Sequence, residues 1–144
     1  MQEPLFSPSF DRKLYTERAI LIGTFIGGPL AGGYLLAQNF STLSKKADIG
    51  RTWLIVTILL LLTMSTVFVP ALDSIPAFVY SFVFCMAAHS AARKLQGSQI
   101  HFHQENGGSM HSTWKAVLVG VIFFFLMMAF ILGIVYLQDP GMFK

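Results

Sequence analysis

Long stretches of this chain carry no charge at all. Residues 19–44, 52–72, 74–92 and 116–138 contain no Asp, Glu, Lys or Arg, and charged residues make up only 12% of the 144 positions. A soluble domain averages about 25%, so the solvated surface that such a domain needs is missing. None of the four stretches holds a carboxylate, the usual mark of a proton or ion pathway, which weighs against a proton-coupled exporter. The single cysteine, Cys85, excludes an internal disulfide framework and a thiolate metal site. The basic residues are spread over several connections without forming a patch, so nucleic acid is not an expected partner. No nucleophile–base pair, phosphate loop or HExxH spacing occurs, and the chain is expected to be neither an enzyme nor a cofactor carrier.

What is present is apolar. Hydrophobic residues reach 54% and the net charge is +3; mean hydropathy is +0.62. Apolar runs of roughly 18 or more residues are long enough to cross a hydrocarbon core about 30 Å thick. The chain therefore reads as an all-α integral membrane protein, multi-pass, with four transmembrane helices at about 19–38, 52–72, 76–95 and 114–137. These form a membrane domain over 19–138, preceded by an interfacial arm (1–18) and followed by a short tail (139–144). Trp53, Trp114 and Tyr136 sit where interfacial belt residues belong. Pro70 and Pro76 bracket Asp73, which predicts a tight turn there. Acidic residues in the leader (Glu3, Asp11, Glu17) argue against a cleaved signal peptide. In the arm, Ser7–Pro8 resembles a helix start. Phe6, Phe10 and Leu14 are placed to dip into headgroups while Arg12, Lys13 and Glu17 stay wet.

The first apolar run is unusual. In GTFIGGPLAGGYLLAQNF, Gly23, Gly27 and Ala31 recur every four residues, and Gly28 and Gly32 repeat the interval one position round. Small residues at that spacing make a groove for close helix packing, and Pro29 predicts a kink near Phe25. A matching ridge runs along the third helix through Ser81, Cys85, Ala88 and Ala92. Packing within one subunit is the ordinary consequence; a homodimer seam, or a kinked helix opening a substrate path, is the sharper one. The partners expected are the lipid bilayer and a second copy or another membrane protein. Asn39-Phe40-Ser41 matches a glycosylation acceptor but lies against the membrane on the side assigned below to the cytoplasm, and is read as chance.

Orientation follows the Lys and Arg of the short connections. The arm holds Arg12, Lys13 and Arg18, the first connection Lys45, Lys46 and Arg51, the third Arg93, Lys94 and Lys115, and the tail Lys144. Four spans with the N-terminus outside place six of these inside and four outside. If the first run instead enters and leaves on one face, nine lie inside and one outside. Either way, loops 40–51 and 93–115 are cytoplasmic and the C-terminus is outside, in what is expected to be a bacterial inner membrane. Four spans are preferred, because re-entrant backbone must be buried in protein and this short chain offers little to bury it.

Two histidine features complete the reading. His89 is the titratable side chain nearest the hydrocarbon, one turn before Arg93, where a histidine ordinarily bonds a neighbouring helix or a headgroup. In SQIHFHQENGGSMHS, alternation places His101 and His103 on one side of an extended strand. With Glu105 and His111 they are candidate zinc ligands, against the ordinary reading of a loop hugging the membrane. The function expected is a non-catalytic structural or interaction subunit. The alternatives are a small dimeric channel or transporter with a path between glycine-lined helices, and a metal-responsive protein using the histidine loop.

Overall fold

A computed structural model describes residues 12–66, 69 and 74–138. The expected turn at Asp73, the helix start at Ser7–Pro8, Phe6, Phe10 and the 139–144 tail lie outside the described residues. The architecture is all-helical: α1 (Glu17–Thr42), α2 (Lys46–Thr66), α3 (Ala77–Leu95), α4 (Gly97–Glu105) and α5 (Thr113–Gln138). Among the described residues the β-type pairing is a single parallel bridge between Leu14 and Met110.

The helix α1 is not straight. Thr16 caps its start, its hydroxyl accepting from the Ala19 N–H at 3.1 Å. The backbone leaves helical geometry at Gly28, with φ 68° and ψ −161°, a region open essentially to glycine alone. Pro29 follows as the first residue of a new helical segment, where its missing N–H costs nothing. A straight helix rising 1.5 Å per residue would hold Tyr15 and Asn39 about 36 Å apart. They are instead hydrogen-bonded twice, at 2.8 and 2.9 Å. Closer to the bend, a Cβ at Gly32 would meet the Thr24 side chain, and one at Gly23 the side chain of Leu35. The chain thus folds into a helical hairpin, residues 17–27 going out and 29–42 returning. The expected kink near Phe25 is a full reversal at Gly28, because Pro29 and a glycine-only conformation act at adjacent positions.

Two helices, Glu17–Thr42 and Thr113–Ile134, are long and apolar enough to cross a membrane. The first spends that length on its reversal. Its limbs of 11 and 14 residues reach about 16 and 21 Å, short of a full crossing.

The hairpin is enclosed by the other long helices, and α2, α3 and α5 each make their main contacts with α1. Against α3, the core joins Ala19, Ile20, Leu35 and Leu36 to Ala88 and Ala92, and the Cys85 thiol points to the Leu21 carbonyl at 3.9 Å. Val56 of α2 lies on Gly33. The closest approach is to α5, where Gly27 and Gly120 meet backbone to backbone and Gly23 rests on Ala116. The expected ridge on α3 is therefore in place, but the glycine groove itself receives α5. Outside this core the surface is apolar: Phe78, Phe82, Leu54, Leu61, Phe125 and Phe130 are all at least 60% exposed.

Two substitutions separate these roles. A Cβ at Gly27 would sit 2.5 Å from the Gly120 carbonyl oxygen and 2.8 Å from its Cα, whereas Gly133 has nothing within 4 Å. Gly27→Ala should therefore destabilise the protein by about 1–3 kcal/mol and Gly133→Ala should be near neutral, read as thermal unfolding in detergent. Equal behaviour of the two would place Gly27 away from a helix contact. Asn39→Ala should cost more, about 3 kcal/mol or above, since it strands the Tyr15 N–H and C=O and the Gln96 side chain together in the interior.

Candidate functional site

The polar groups of the molecule collect at the mouth of the hairpin. Asn39, wholly buried, acts there as a surrogate strand. Its Oδ1 accepts from the Tyr15 N–H, and its Nδ2 donates to the Tyr15 carbonyl and to Gln96 Oε1 at 3.0 Å. Gln96, also wholly buried, donates in turn to the Leu36 carbonyl at 3.0 Å. Burial of two amides is tolerable only because the network is this well satisfied. It also removes Asn39 from any glycosylating enzyme, as the chance reading of Asn39-Phe40-Ser41 requires.

The segment before α1 docks on the connection between α4 and α5. Leu14 N–H donates to the Ser109 carbonyl at 3.3 Å, and His111 N–H to the Leu14 carbonyl at 2.8 Å. Leu14 is fully buried. The expectation that it dips into headgroups is corrected: backbone pairing with Met110 draws it into the protein.

The histidine segment also departs from expectation. It forms the helix α4, not an extended strand, and on a helix residues two apart face opposite ways. His101 is exposed and His103 buried. The His103 Nε2 lies 3.2 Å from the Ser109 carbonyl, and its ring packs on Gly108, where a Cβ would collide with it. His111 stacks on Tyr15, ring centroids 4.3 Å apart, and Glu105 is exposed. The four candidate ligands are held by different neighbours, and among the described residues no three His, Cys, Asp or Glu side chains gather as a metal site.

A different grouping does form. A cleft of about 320 Å³ opens between the outgoing limb of α1, α3 and α4, with Glu17, Arg18, His89, His101 and Gln104 on its walls. The Glu17 side chain is 21% exposed, and His101 Nε2 lies 4.0 Å from its Oε1. It rests on Gly97, where a Cβ would stand 2.9 Å from Glu17 Oε1. His89 Nδ1 is buried with no hydrogen-bond partner among the described residues. Sequence reasoning singled out His89 but left Glu17 among the wetted charges of the arm rather than in a site.

Comparison with protein-family models, with characterised proteins and with solved structures finds no match to this chain. The site is thus read from its own chemistry.

Burial, then Lys115 and Lys13 nearby, hold the His111 imidazole below its ordinary value of 6.5. The folded state therefore prefers the neutral ring. Its contribution to stability is complete above about pH 6.5 and declines as pH falls from there through the folded value. An NMR titration should find His111 titrating below 6.5, and Lys115→Met should raise that value. Titration above 6.5 would contradict the packing on Tyr15.

Proposed function

We propose that the chain is a polytopic membrane protein in which α2, α3 and α5 cross the bilayer around a re-entrant α1 hairpin, and that it serves as a non-catalytic structural or interaction subunit. The observation that carries this is the pair of hydrogen bonds between Tyr15 and Asn39, which brings both ends of α1 to one face. That arrangement replaces four straight spans. It answers the objection that so short a chain cannot bury re-entrant backbone: the hairpin takes the centre, and three helices share the work of covering it.

Charge supports the same reading. With both ends of α1 on one face, Arg12, Lys13, Arg18, Lys45, Lys46, Arg51, Arg93, Lys94 and Lys115 share it, and Lys144 is the remaining base. An asymmetry of this size follows the positive-inside rule and makes the hairpin mouth cytoplasmic. The broad apolar surface of α5, only 6% buried over its most apolar window, suits lipid or a neighbouring membrane helix. A role as scaffold or subunit fits a molecule whose buried amides, Asn39 and Gln96, are spent on closing its own fold.

Sidedness tests the arrangement. Single cysteines at Gln2, Lys46, Ser98 and Lys144, in a Cys85→Ala background, should label from the cytoplasm at the first three positions and from outside at the last. A Gln2 label from the side opposite Lys46 would make α1 a span and overturn the re-entrant hairpin.

A further inference from the structure

We infer that the cleft between α1, α3 and α4 binds a primary ammonium joined to a phosphate, the chemistry of an ethanolamine phosphate, as carried by an aminophospholipid headgroup or by the free phosphoamine. The choice of lipid as one source rests on the membrane arrangement proposed above. Two side chains that line the cleft are short of hydrogen-bond partners among the described residues. Glu17, its side chain 21% exposed, has the His101 ring at 4.0 Å as its ion partner among the described residues, beyond hydrogen-bond reach, and His89 Nδ1 is buried with no hydrogen-bond partner among them. Buried polar atoms are rarely left so. Both line one space of about 320 Å³, enough for a headgroup rather than a single water.

The chemistry of the ligand follows from the walls. An ammonium offers Glu17 the donors it lacks, in a charge-assisted bond stronger than a neutral one. Arg18, beside it in the chain and making no ion pair among the described residues, is placed for the anionic half of the same ligand. His89 can donate to a phosphate or ester oxygen when its proton sits on Nδ1. Leu21 and Ile100 supply an apolar wall, on which the glycerol end of a lipid can rest. Gly97 leaves room for the Glu17 carboxylate, since a Cβ there would stand 2.9 Å from Oε1. A quaternary ammonium such as choline has no N–H to offer Glu17, and discrimination against it is the signature of the site.

The full chain in detergent, with histidine rings isotopically labelled, is titrated with short-chain phosphatidylethanolamine, short-chain phosphatidylcholine and free phosphoethanolamine. The His89 and His101 signals should move with ethanolamine lipid at about tenfold lower concentration than with choline lipid. Glu17→Gln should abolish that difference, and Arg18→Gln should weaken both lipids alike. The signal of His111 stacked on Tyr15 reports that each variant is folded. Response to phosphoethanolamine as strong as to lipid identifies a soluble ligand; response to lipid alone identifies the headgroup. Equal response to the two lipids, no response to any probe, or a folded Glu17→Gln that still discriminates would overturn the assignment. The titration does not depend on sidedness, so failure of the labelling experiment leaves its outcome standing, and the reverse.

Discussion

The fold hangs on one side-chain amide. Asn39 offers Tyr15 the acceptor and donor that a neighbouring strand would, and passes its second donor to Gln96. Three segments far apart in sequence, the approach to α1, its returning limb and the end of α3, are tied at a single buried point. Each partner is a peptide group or an amide, so no charge is desolvated in closing it. That matters in a buried site, where a charge costs several kcal/mol and an unmet peptide group costs about as much as a lost hydrogen bond.

Glycine serves the hairpin in two separate ways. At Gly28 the backbone needs a dihedral combination that a Cβ forbids, and the space around it is empty. At Gly27 the need is spatial: the Gly120 carbonyl occupies the position a side chain would take. One residue makes the reversal and its neighbour lets α5 close over it. Packing this tight gains dispersion energy and weak Cα–H···O contacts, the forces left to join helices once the surrounding medium is as apolar as they are.

Much of this was legible in the sequence and some could not be. Helix content, the small-residue groove and the ridge through Cys85, Ala88 and Ala92 follow from local composition and a 3.6-residue period. The reversal does not, because Gly-Gly-Pro within an apolar run is compatible with a kink, a break or a turn back, and the residues that decide among them lie 24 positions apart. Asn39 and Gln96 gave no signal, being uncharged amides at the ends of apolar runs. The histidine segment misled for another reason. Two residues of alternation at His101 and His103 fit a strand, yet the segment follows directly on α3, and Gln96 accepts the N–H groups of Gln99 and Ile100 to start α4. Continuity with an existing helix outweighed a short alternating pattern.

A hairpin that stops partway also divides the molecule into unequal halves. The buried residues of the surrounding helices lie toward its mouth: Thr52 and Val56 in the first half of α2, Cys85, Ala88 and Ala92 from the middle of α3 onward, and Ala116 and Gly120 in the first turns of α5. Beside the tip, α2 and α5 line an apolar groove with Leu30, Leu61 and Phe130 on its walls. Few buried contacts and exposed helix faces mark regions that open at low free energy. The mouth, with its satisfied amides and docked Leu14, marks the opposite. Rigidity and polar chemistry therefore coincide at one end of the bundle. A ligand-binding cleft belongs at that end, because Glu17, His89 and His101 come from three different helices and hold their spacing only where those helices are locked together.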